Sequence, residues 1–228
     1  MEKFDCWLPS TGELYECFRE IVEKIRKDNY QPDLVIALSR GGFVPARHIC
    51  DLMIITDLLS VKVDHWGATA TKDGKAHLRY PIVADFSGKN VLIVDDITDT
   101  GESMMIAEEF VRKLNPREIR TAVIFHINTS KFVPDYYSKE IAWVWVIWPW
   151  NYNEDLCNIV PKVLDEDRSR PIREIRDLLR ERFKIGLPEQ EIARIMSELA
   201  LRKIAAENDN GWIKTDESEF HRNRVLSS

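Results

Sequence analysis

One segment constrains the fold more than any other, and it spans residues 91–103, with the sequence VLIVDDITDTGES. Its four leading apolar residues predict a strand that is buried on both faces. Asp95 and Asp96 follow, and a short polar loop then leads into a helical pattern from Glu102. Backbone N–H groups at a helix start bind phosphate, whereas carboxylates accept hydrogen bonds from hydroxyls or bind a metal ion. The segment therefore suits a sugar phosphate.

A second loop with glycines follows another apolar run, at residues 33–38. It contains Ser39, Arg40, Gly41 and Gly42. A pair of glycines after a strand is often only a turn, but an arginine supplies a planar set of donors that fits phosphate or pyrophosphate. Two such loops in one sheet predict a ligand with phosphates at two positions.

Apolar strands alternate with helical patterns over the first two thirds of the chain. The predicted strands are 33–38, 58–63, 91–94, 119–125 and 142–147, and the predicted helices are 14–25, 44–52 and 102–114. Ser10 or Thr11 is a suitable cap for the first helix. This alternation predicts an α/β fold, in which helices flank a parallel twisted sheet and ligands bind at the carboxyl ends of its strands.

The composition changes near Pro161, where a highly charged region begins. Two helical patterns, at 172–183 and 189–199, precede a strong turn signal at 208–211. Two helices followed by a turn and a short strand at Trp212 and Ile213 predict a small, mainly helical, winged-helix-like domain. We therefore predict a first domain over 1–165, a second over 166–218 and a disordered tail over 219–228.

Bulk properties narrow the range of partners. The net charge of −6 gives the whole molecule no general attraction for nucleic acid. The four cysteines show no CxxC spacing, which is typical of reduced cysteines in a cytoplasmic protein. The longest apolar run, at 141–150, is about half the length of a membrane span and predicts a buried strand. We expect a cytoplasmic protein with neither a membrane nor a nucleic acid as partner.

Three motifs together resemble the type I phosphoribosyltransferases. Residues 91–103 resemble the signature of that family, and residues 39–46 resemble the pyrophosphate loop of the bacterial xanthine-guanine enzymes. Residues 145–150 resemble the base-binding segment of the same enzymes, and residues 132–137 resemble archaeal relatives. The resemblance covers roughly residues 10–155.

The resemblance implies a purine phosphoribosyltransferase of the type I fold. Such an enzyme joins a purine base to phosphoribosyl pyrophosphate, giving a nucleoside 5′-monophosphate and pyrophosphate, and it uses Mg²⁺. Asp95 and Asp96 would face the ribose hydroxyls, with Asp96 also on the Mg²⁺ ion. The 5′-phosphate would be enclosed by Thr98, Asp99, Thr100, Gly101, Glu102 and Ser103. The pyrophosphate would be held by Ser39, Arg40 and Gly41.

The resemblance also implies how the base is bound. Asp99 would contact N7 of the purine and act as the catalytic residue that manages a proton on the base. Trp145 would stack on the base, and the backbone at Val146 would meet its edge. A flap at about 66–80 would cover the site, and a homodimer is expected.

One position departs from the pattern of the 6-oxopurine enzymes. Those enzymes carry a lysine that donates to O6 of the base, and the alignment places Ile127 there. Because an oxo group needs that donor and an amino group does not, we predict adenine as the favoured base. The alternatives are a 6-oxopurine enzyme, acting on guanine, hypoxanthine or xanthine, and a DNA-binding regulator that senses phosphoribosyl pyrophosphate.

Overall fold

The structure is a computed structural model that describes residues 3–64, 77–79 and 82–215. Its described residues form two compact units, one spanning Ser10–Trp143 and the other combining residues 3–9 with 144–215. The predicted flap at about 66–80 lies outside the described residues except for 77–79, and the predicted tail at 219–228 lies outside them entirely. Within the described ranges no helix combines the length and apolar character needed to cross a membrane.

The first unit is built on a six-stranded sheet. Its elements are α1 (Thr11–Lys27), β2 (Leu34–Ser39), α2 (Phe43–Met53), β3 (Leu58–Asp64), β4 (His77–Leu78), β5 (Asn90–Thr98), α3 (Glu102–Arg112), β6 (Glu118–Ile127) and β7 (Tyr136–Ile141). The strand order is β4-β3-β2-β5-β6-β7, and among these described strands the β3–β4 pair is antiparallel while the other neighbours are parallel. The predicted α/β fold with a parallel sheet is confirmed.

Helices cover both faces of this sheet, as the apolar runs predict. Along β5, Leu92 and Val94 pack in one core cluster with residues of α1 and α2. Val91 and Ile93 pack in a second cluster with residues of α3. Because successive side chains of a strand point to opposite faces, a strand covered on both sides must be apolar at every position. This explains the unbroken apolar run that precedes Asp95.

The strand predictions after β6 were wrong. The sixth strand of the sheet is β7, and the run at 141–150 is not one buried strand: it contains the end of β7, a loop and the two-residue strand β8 (Trp145–Val146). Trp143 is 50% exposed, because the segment leaves the sheet at this point.

The second unit is mainly helical. Its elements are β1 (Cys6–Trp7), β8, α4 (Tyr152–Ile159), a 3₁₀ turn (Val160–Val163), α5 (Ile172–Phe183), α6 (Glu189–Leu201), β9 (Ala205–Asn208) and β10 (Gly211–Lys214). β9 and β10 form an antiparallel hairpin, and Arg170 bridges to Trp212 on its free side. A helix, a bridging residue, two helices and a hairpin follow one another in this unit, and the winged-helix-like character of the domain stays a prediction.

The division between the units differs from the predicted boundary at residue 165. Residues 144–165 belong to the second unit because Ile147, Leu156 and Val163 share one apolar core with α5 and α6. The start of the chain joins this unit through the parallel pairing of β1 with β8. The predicted domain over 166–218 therefore corresponds to only part of a larger compact unit.

The four cysteines carry free thiols. Burial raises the pKa of Cys6 to about 12 and that of Cys50 to about 11. Burial also raises the pKa values of Cys17 and Cys157. These shifts keep the thiols protonated and weakly nucleophilic near neutral pH. This is what we expect of cysteines that have a structural role.

Candidate active site

The acidic pair lies within β5 rather than after it. The strand continues in register with β6 as far as Thr98, so Asp95 and Asp96 are held on a rigid element. Asp96 is only 7% exposed, and its backbone N–H donates to the Asp95 carboxylate at 2.9 Å. Burial raises the pKa of Asp95 well above its usual value, and the neighbouring Asp96 charge raises it further. Hydroxyl donors or a cation from a ligand would favour the ionised pair.

The loop at residues 39–42 packs directly against this pair. A Cβ built on Gly41 would lie 2.1 Å from Oδ2 of Asp96, and one on Gly42 would lie 2.4 Å from the carbonyl oxygen of Val94. Both glycines are therefore required by close approach of the backbone. The Ser39–Arg40 peptide bond in this loop is cis, and the Arg40 side chain is exposed. The structure thus brings together the two loops that the sequence singles out.

The predicted phosphate loop joins β5 to α3. Gly101 caps α3 with a φ of +85°, a conformation in which glycine is favoured. The ten residues 95–104 line a cavity of about 380 Å³ at the start of α3. The positive end of the helix dipole and the N-terminal N–H groups make this position suitable for an anion.

Two contacts that the sequence did not reveal hold this loop. Thr98 and His126 form a buried hydrogen bond of 3.0 Å at the last register pair of β5 and β6. A Cβ on Gly101 would lie 2.5 Å from Cβ of Phe132 and 2.9 Å from Oγ of Ser130, so the segment after β6 packs against the loop. The only signal in the sequence is a histidine inside the otherwise apolar run of β6.

Comparison with known proteins decides the family. Residues 10–155, well over half of the chain, match the family model described as the phosphoribosyl transferase domain. The chain belongs to the phosphoribosyltransferase family. The prediction from the sequence motifs is confirmed at this level.

Several relatives of this phosphoribosyltransferase are named for their bases. The xanthine-guanine phosphoribosyltransferase of Idiomarina loihiensis is 27% identical over 143 residues, which cover 62% of this chain and 84% of the relative. Human hypoxanthine-guanine phosphoribosyltransferase is 37% identical over 76 residues, covering 32% of this chain and 35% of the relative. A crystal structure of a purine phosphoribosyltransferase from Pyrococcus horikoshii is 29% identical, covers 64% of this chain and 93% of that chain, and gives a TM-score of 0.57.

Two of the predicted contacts of this phosphoribosyltransferase do not fit the structure as expected. Ile127 ends β6 with 1% of its surface exposed, so its side chain is not open to a ligand. Thr98 is 2% exposed, and its hydroxyl is bonded to His126, so it cannot enclose a phosphate through its side chain. Direct contact with a ligand through these two side chains is therefore corrected, while contact through their backbones stays a prediction.

Trp145 and Val146 belong to the second unit, whereas the loops at 39–42 and 99–103 belong to the first. The indole N–H of Trp145 donates to the Asp155 carboxylate at 3.3 Å, and the Phe4 ring lies 6.1 Å from the indole ring. Trp145 is therefore held in a defined orientation. The roles in base binding that the resemblance implies for Trp145 and Val146 stay predictions.

A larger cavity, of about 450 Å³, lies at the other end of the sheet in this phosphoribosyltransferase. It is lined by residues that precede β2 and β3, such as Gln31, Asp33 and Thr56, and so it lies at the amino ends of the strands. Parallel α/β sheets bind ligands at the carboxyl ends. The smaller cavity beside Asp95 and Asp96 is therefore the candidate active site.

Proposed function

We propose that this phosphoribosyltransferase joins a 6-oxopurine to C1 of phosphoribosyl pyrophosphate, forming a nucleoside 5′-monophosphate and releasing pyrophosphate. The observation that carries the proposal is the meeting of two loops, in which the Gly41 backbone packs against the Asp96 carboxylate beside the start of α3. A ligand with a phosphate at one end, a pyrophosphate at the other and hydroxyls between them matches this arrangement.

The class of base rests on the relatives. Those named for a base act on xanthine, guanine or hypoxanthine, which supports a 6-oxopurine for this chain over adenine. The prediction of adenine depended on Ile127 as a residue that faces the base. Because Ile127 is buried, its lack of a donor says little about base preference. Adenine is therefore the comparison arm of the activity test rather than the proposed substrate.

Each loop has a distinct task in the proposed reaction. Asp95 and Asp96 accept hydrogen bonds from the ribose hydroxyls, which fixes the sugar for attack at C1. Residues 99–103 bind the 5′-phosphate through N–H groups and hydroxyls. Arg40 and the neighbouring backbone bind the pyrophosphate and stabilise its charge as it leaves. Asp99, which is exposed next to this loop, takes up a proton from the base as the glycosidic bond forms.

Mg²⁺ fits the acidic pair. Mg²⁺ prefers oxygen ligands and commonly takes one or two carboxylates together with oxygens of a phosphorylated substrate. Burial and mutual repulsion raise the pKa of Asp95, which is the electrostatic setting that a bound cation relieves. Asp96 would hold the ion, and the ion would supply positive charge to the leaving pyrophosphate.

A four-base activity screen tests the proposed function. Turnover is measured with adenine, guanine, hypoxanthine and xanthine, each with phosphoribosyl pyrophosphate and Mg²⁺. We expect activity with at least one 6-oxopurine and a loss of about a hundredfold in Asp96→Asn, because the carboxylate stabilises charge in the site. Asp57→Asn is the matched control. Asp57 is exposed, lies just before β3, and accepts a hydrogen bond from Lys89.

Two results of this screen would count against the proposal. Near wild-type turnover in Asp96→Asn would remove the acidic pair from the mechanism. Activity with adenine alone would overturn the choice of a 6-oxopurine.

A second candidate function comes from the winged-helix order of the second unit. Such modules bind DNA through the second helix of the pair, which here is α6. The charges on α6 oppose this function, because Arg194 bonds Glu191 at 2.7 Å and Arg202 bonds Glu198 at 2.5 Å. Fluorescence anisotropy with a labelled DNA duplex tests this function. Affinity for the duplex that falls steeply as the salt concentration rises would favour a regulator over an enzyme alone.

The homodimer that the resemblance implies and the cytoplasmic location expected from the cysteine pattern both stay predictions. Sedimentation velocity of the full chain would distinguish the monomer mass of 26.6 kDa from that of a dimer.

A further inference from the structure

A buried polar pair lies directly behind the candidate phosphate loop. Thr98 is the last residue of β5 and precedes Asp99, and His126 is its register partner on β6. Oγ1 of Thr98 and Nδ1 of His126 are 3.0 Å apart, and the two residues are 2% and 4% exposed. Neither side chain is open to a ligand, so the pair acts on the site only through the backbone that it holds.

The pair restricts the conformations available to the loop. A buried hydroxyl or imidazole destabilises the folded state unless it is hydrogen-bonded, so each member fixes the side-chain rotamer of the other. The His126 ring is also packed 5.2 Å from the ring of Tyr137 on β7. Thr98 is therefore anchored twice, by the backbone pairing with β6 and by its side chain.

A second contact restrains the same loop further along. Gly101 lies against Ser130 and Phe132, and the backbone N–H of Lys131 donates to the carbonyl oxygen of Thr100 at 3.3 Å. The loop is thus restrained before its first residue and at its centre. A loop that is ordered before the ligand arrives binds more tightly, because less conformational entropy is lost on binding.

We propose that His126 is a positioning residue that acts through Thr98 to hold residues 99–103 in the geometry that binds the 5′-phosphate. The inference rests on the proposed function, in that it takes this loop as the phosphate site. It adds a residue that contacts no substrate and to which the family resemblance assigns no role. Its effect is expected on the affinity for the phosphorylated sugar and not on the affinity for the base.

Binding and kinetics of four single variants and one double variant test this proposal. Thr98→Val and His126→Phe remove the hydrogen bond while keeping the side-chain shape, and His126→Asn restores a polar atom near the position of Nδ1. The probe is ribose 5-phosphate, titrated by calorimetry, together with the KM values for phosphoribosyl pyrophosphate and for the base. Thr121→Val is the control, because Thr121 is also buried on β6 and its hydroxyl bonds Asp135 at 2.8 Å.

We expect the first two variants to bind ribose 5-phosphate about fivefold more weakly, as loss of one hydrogen bond in a preorganised site predicts. The KM for phosphoribosyl pyrophosphate should rise by the same factor while the KM for the base stays unchanged. His126→Asn should recover most of the affinity, and the double variant Thr98→Val/His126→Phe should be no worse than either single variant. Thr121→Val should lower thermal stability without changing either KM.

The proposal is overturned if Thr98→Val and His126→Phe fold and bind ribose 5-phosphate with wild-type affinity, as Thr121→Val should. It is also overturned if the wild-type chain does not bind ribose 5-phosphate. A different result would overturn the proposed function alone. In that case the wild type binds ribose 5-phosphate and the variants bind it as expected, but the wild type turns over none of the four bases.

Discussion

At the scale of single residues, the site depends on a close approach of backbone to carboxylate. Gly41 leaves no room for a methyl group beside Asp96, and Gly42 leaves none beside Val94. Residues that touch in this way transmit any displacement directly to the acidic pair. The tolerance of the site for substitution at these glycines is therefore small.

Gly41→Ala should lower kcat/KM with phosphoribosyl pyrophosphate by about a hundredfold, because a shift of about 1 Å at a reacting centre has that effect. The added Cβ would otherwise lie 2.1 Å from Asp96 Oδ2, so either the loop or the carboxylate must move. Steady-state kinetics measure the change. Gly12→Ala is the control, since a Cβ there meets nothing within 4 Å. Wild-type kcat/KM in Gly41→Ala would contradict the assigned role of this loop.

Residue types in the sequence were enough to single out Asp95, Asp96 and the loop at 39–42, and the structure brings them together through the contact of Gly41 with Asp96. Their roles in binding stay predictions. Residue types were not enough to predict His126. Its partner Thr98 is 28 positions away along the chain, and only the register of β5 on β6 brings the two together. The burial of Ile127 was missed because aligning its position with that of a family residue does not show whether the side chain is exposed.

At the scale of elements, boundaries follow hydrogen bonding more closely than they follow hydropathy. The apolar run of β5 ends at Val94, but its pairing with β6 continues to Thr98 because backbone hydrogen bonds do not depend on the side chain. β7 was missed because the polar run of Ser138, Lys139 and Glu140 interrupts its apolar residues, and charged residues are common in a strand at the edge of a sheet. Helices with strong apolar periodicity, such as α5, were predicted at their observed bounds.

The start of α1 carries a capping box that makes a prediction about pH. The Ser10 N–H donates to Oε2 of Glu13 at 2.7 Å, and the Glu13 N–H donates to Oγ of Ser10 at 3.2 Å. The bond from the Ser10 N–H lowers the pKa of Glu13 below its usual value of 4.5. A lowered pKa means that the charged carboxylate stabilises the folded state above that value, and that the contribution is lost as the pH falls through the folded-state pKa.

Glu13→Gln should therefore be less stable than the wild type at pH 7, and the difference should shrink as the pH falls below about 4.5. Urea unfolding at a series of pH values measures it. Glu23→Gln is the control, because Glu23 is exposed, lies later in α1 and takes no part in the capping box. A stability difference that stays constant from pH 7 to pH 3 would show that the charge of Glu13 is not responsible.

At the scale of the whole molecule, the order of the chain and the division into units do not coincide. Cys6 and Trp7 pair with Trp145 and Val146, and residues 3–9 belong to the second unit although the first unit follows them in sequence. This division could not be predicted from local patterns, because a two-residue strand such as β1 has no periodicity, and its pairing is decided by contacts far along the chain. The predicted boundary at residue 165 followed a change of composition instead.

Phe4→Ala should destabilise the helical unit selectively. The centroids of the Phe4 and Phe183 rings are 4.9 Å apart, so the two residues form an aromatic contact inside this unit. Losing this half-buried side chain should lower the local free energy of unfolding by about 2 kcal/mol. Hydrogen exchange measured by mass spectrometry should show faster exchange in α5 and α6, with the amides of β5 and β6 unchanged. Equal acceleration throughout the described residues would contradict the division into units.

The pairing of β1 with β8 also affects how the protein is made. Because the ribosome releases the chain from its first residue onward, Cys6 emerges long before its partner Trp145. The unit spanning Ser10–Trp143 is continuous in sequence, so all of its strands can pair during synthesis while β1 still lacks a partner. β1 is thus translated before every strand of that unit and can pair only after β8 has been translated.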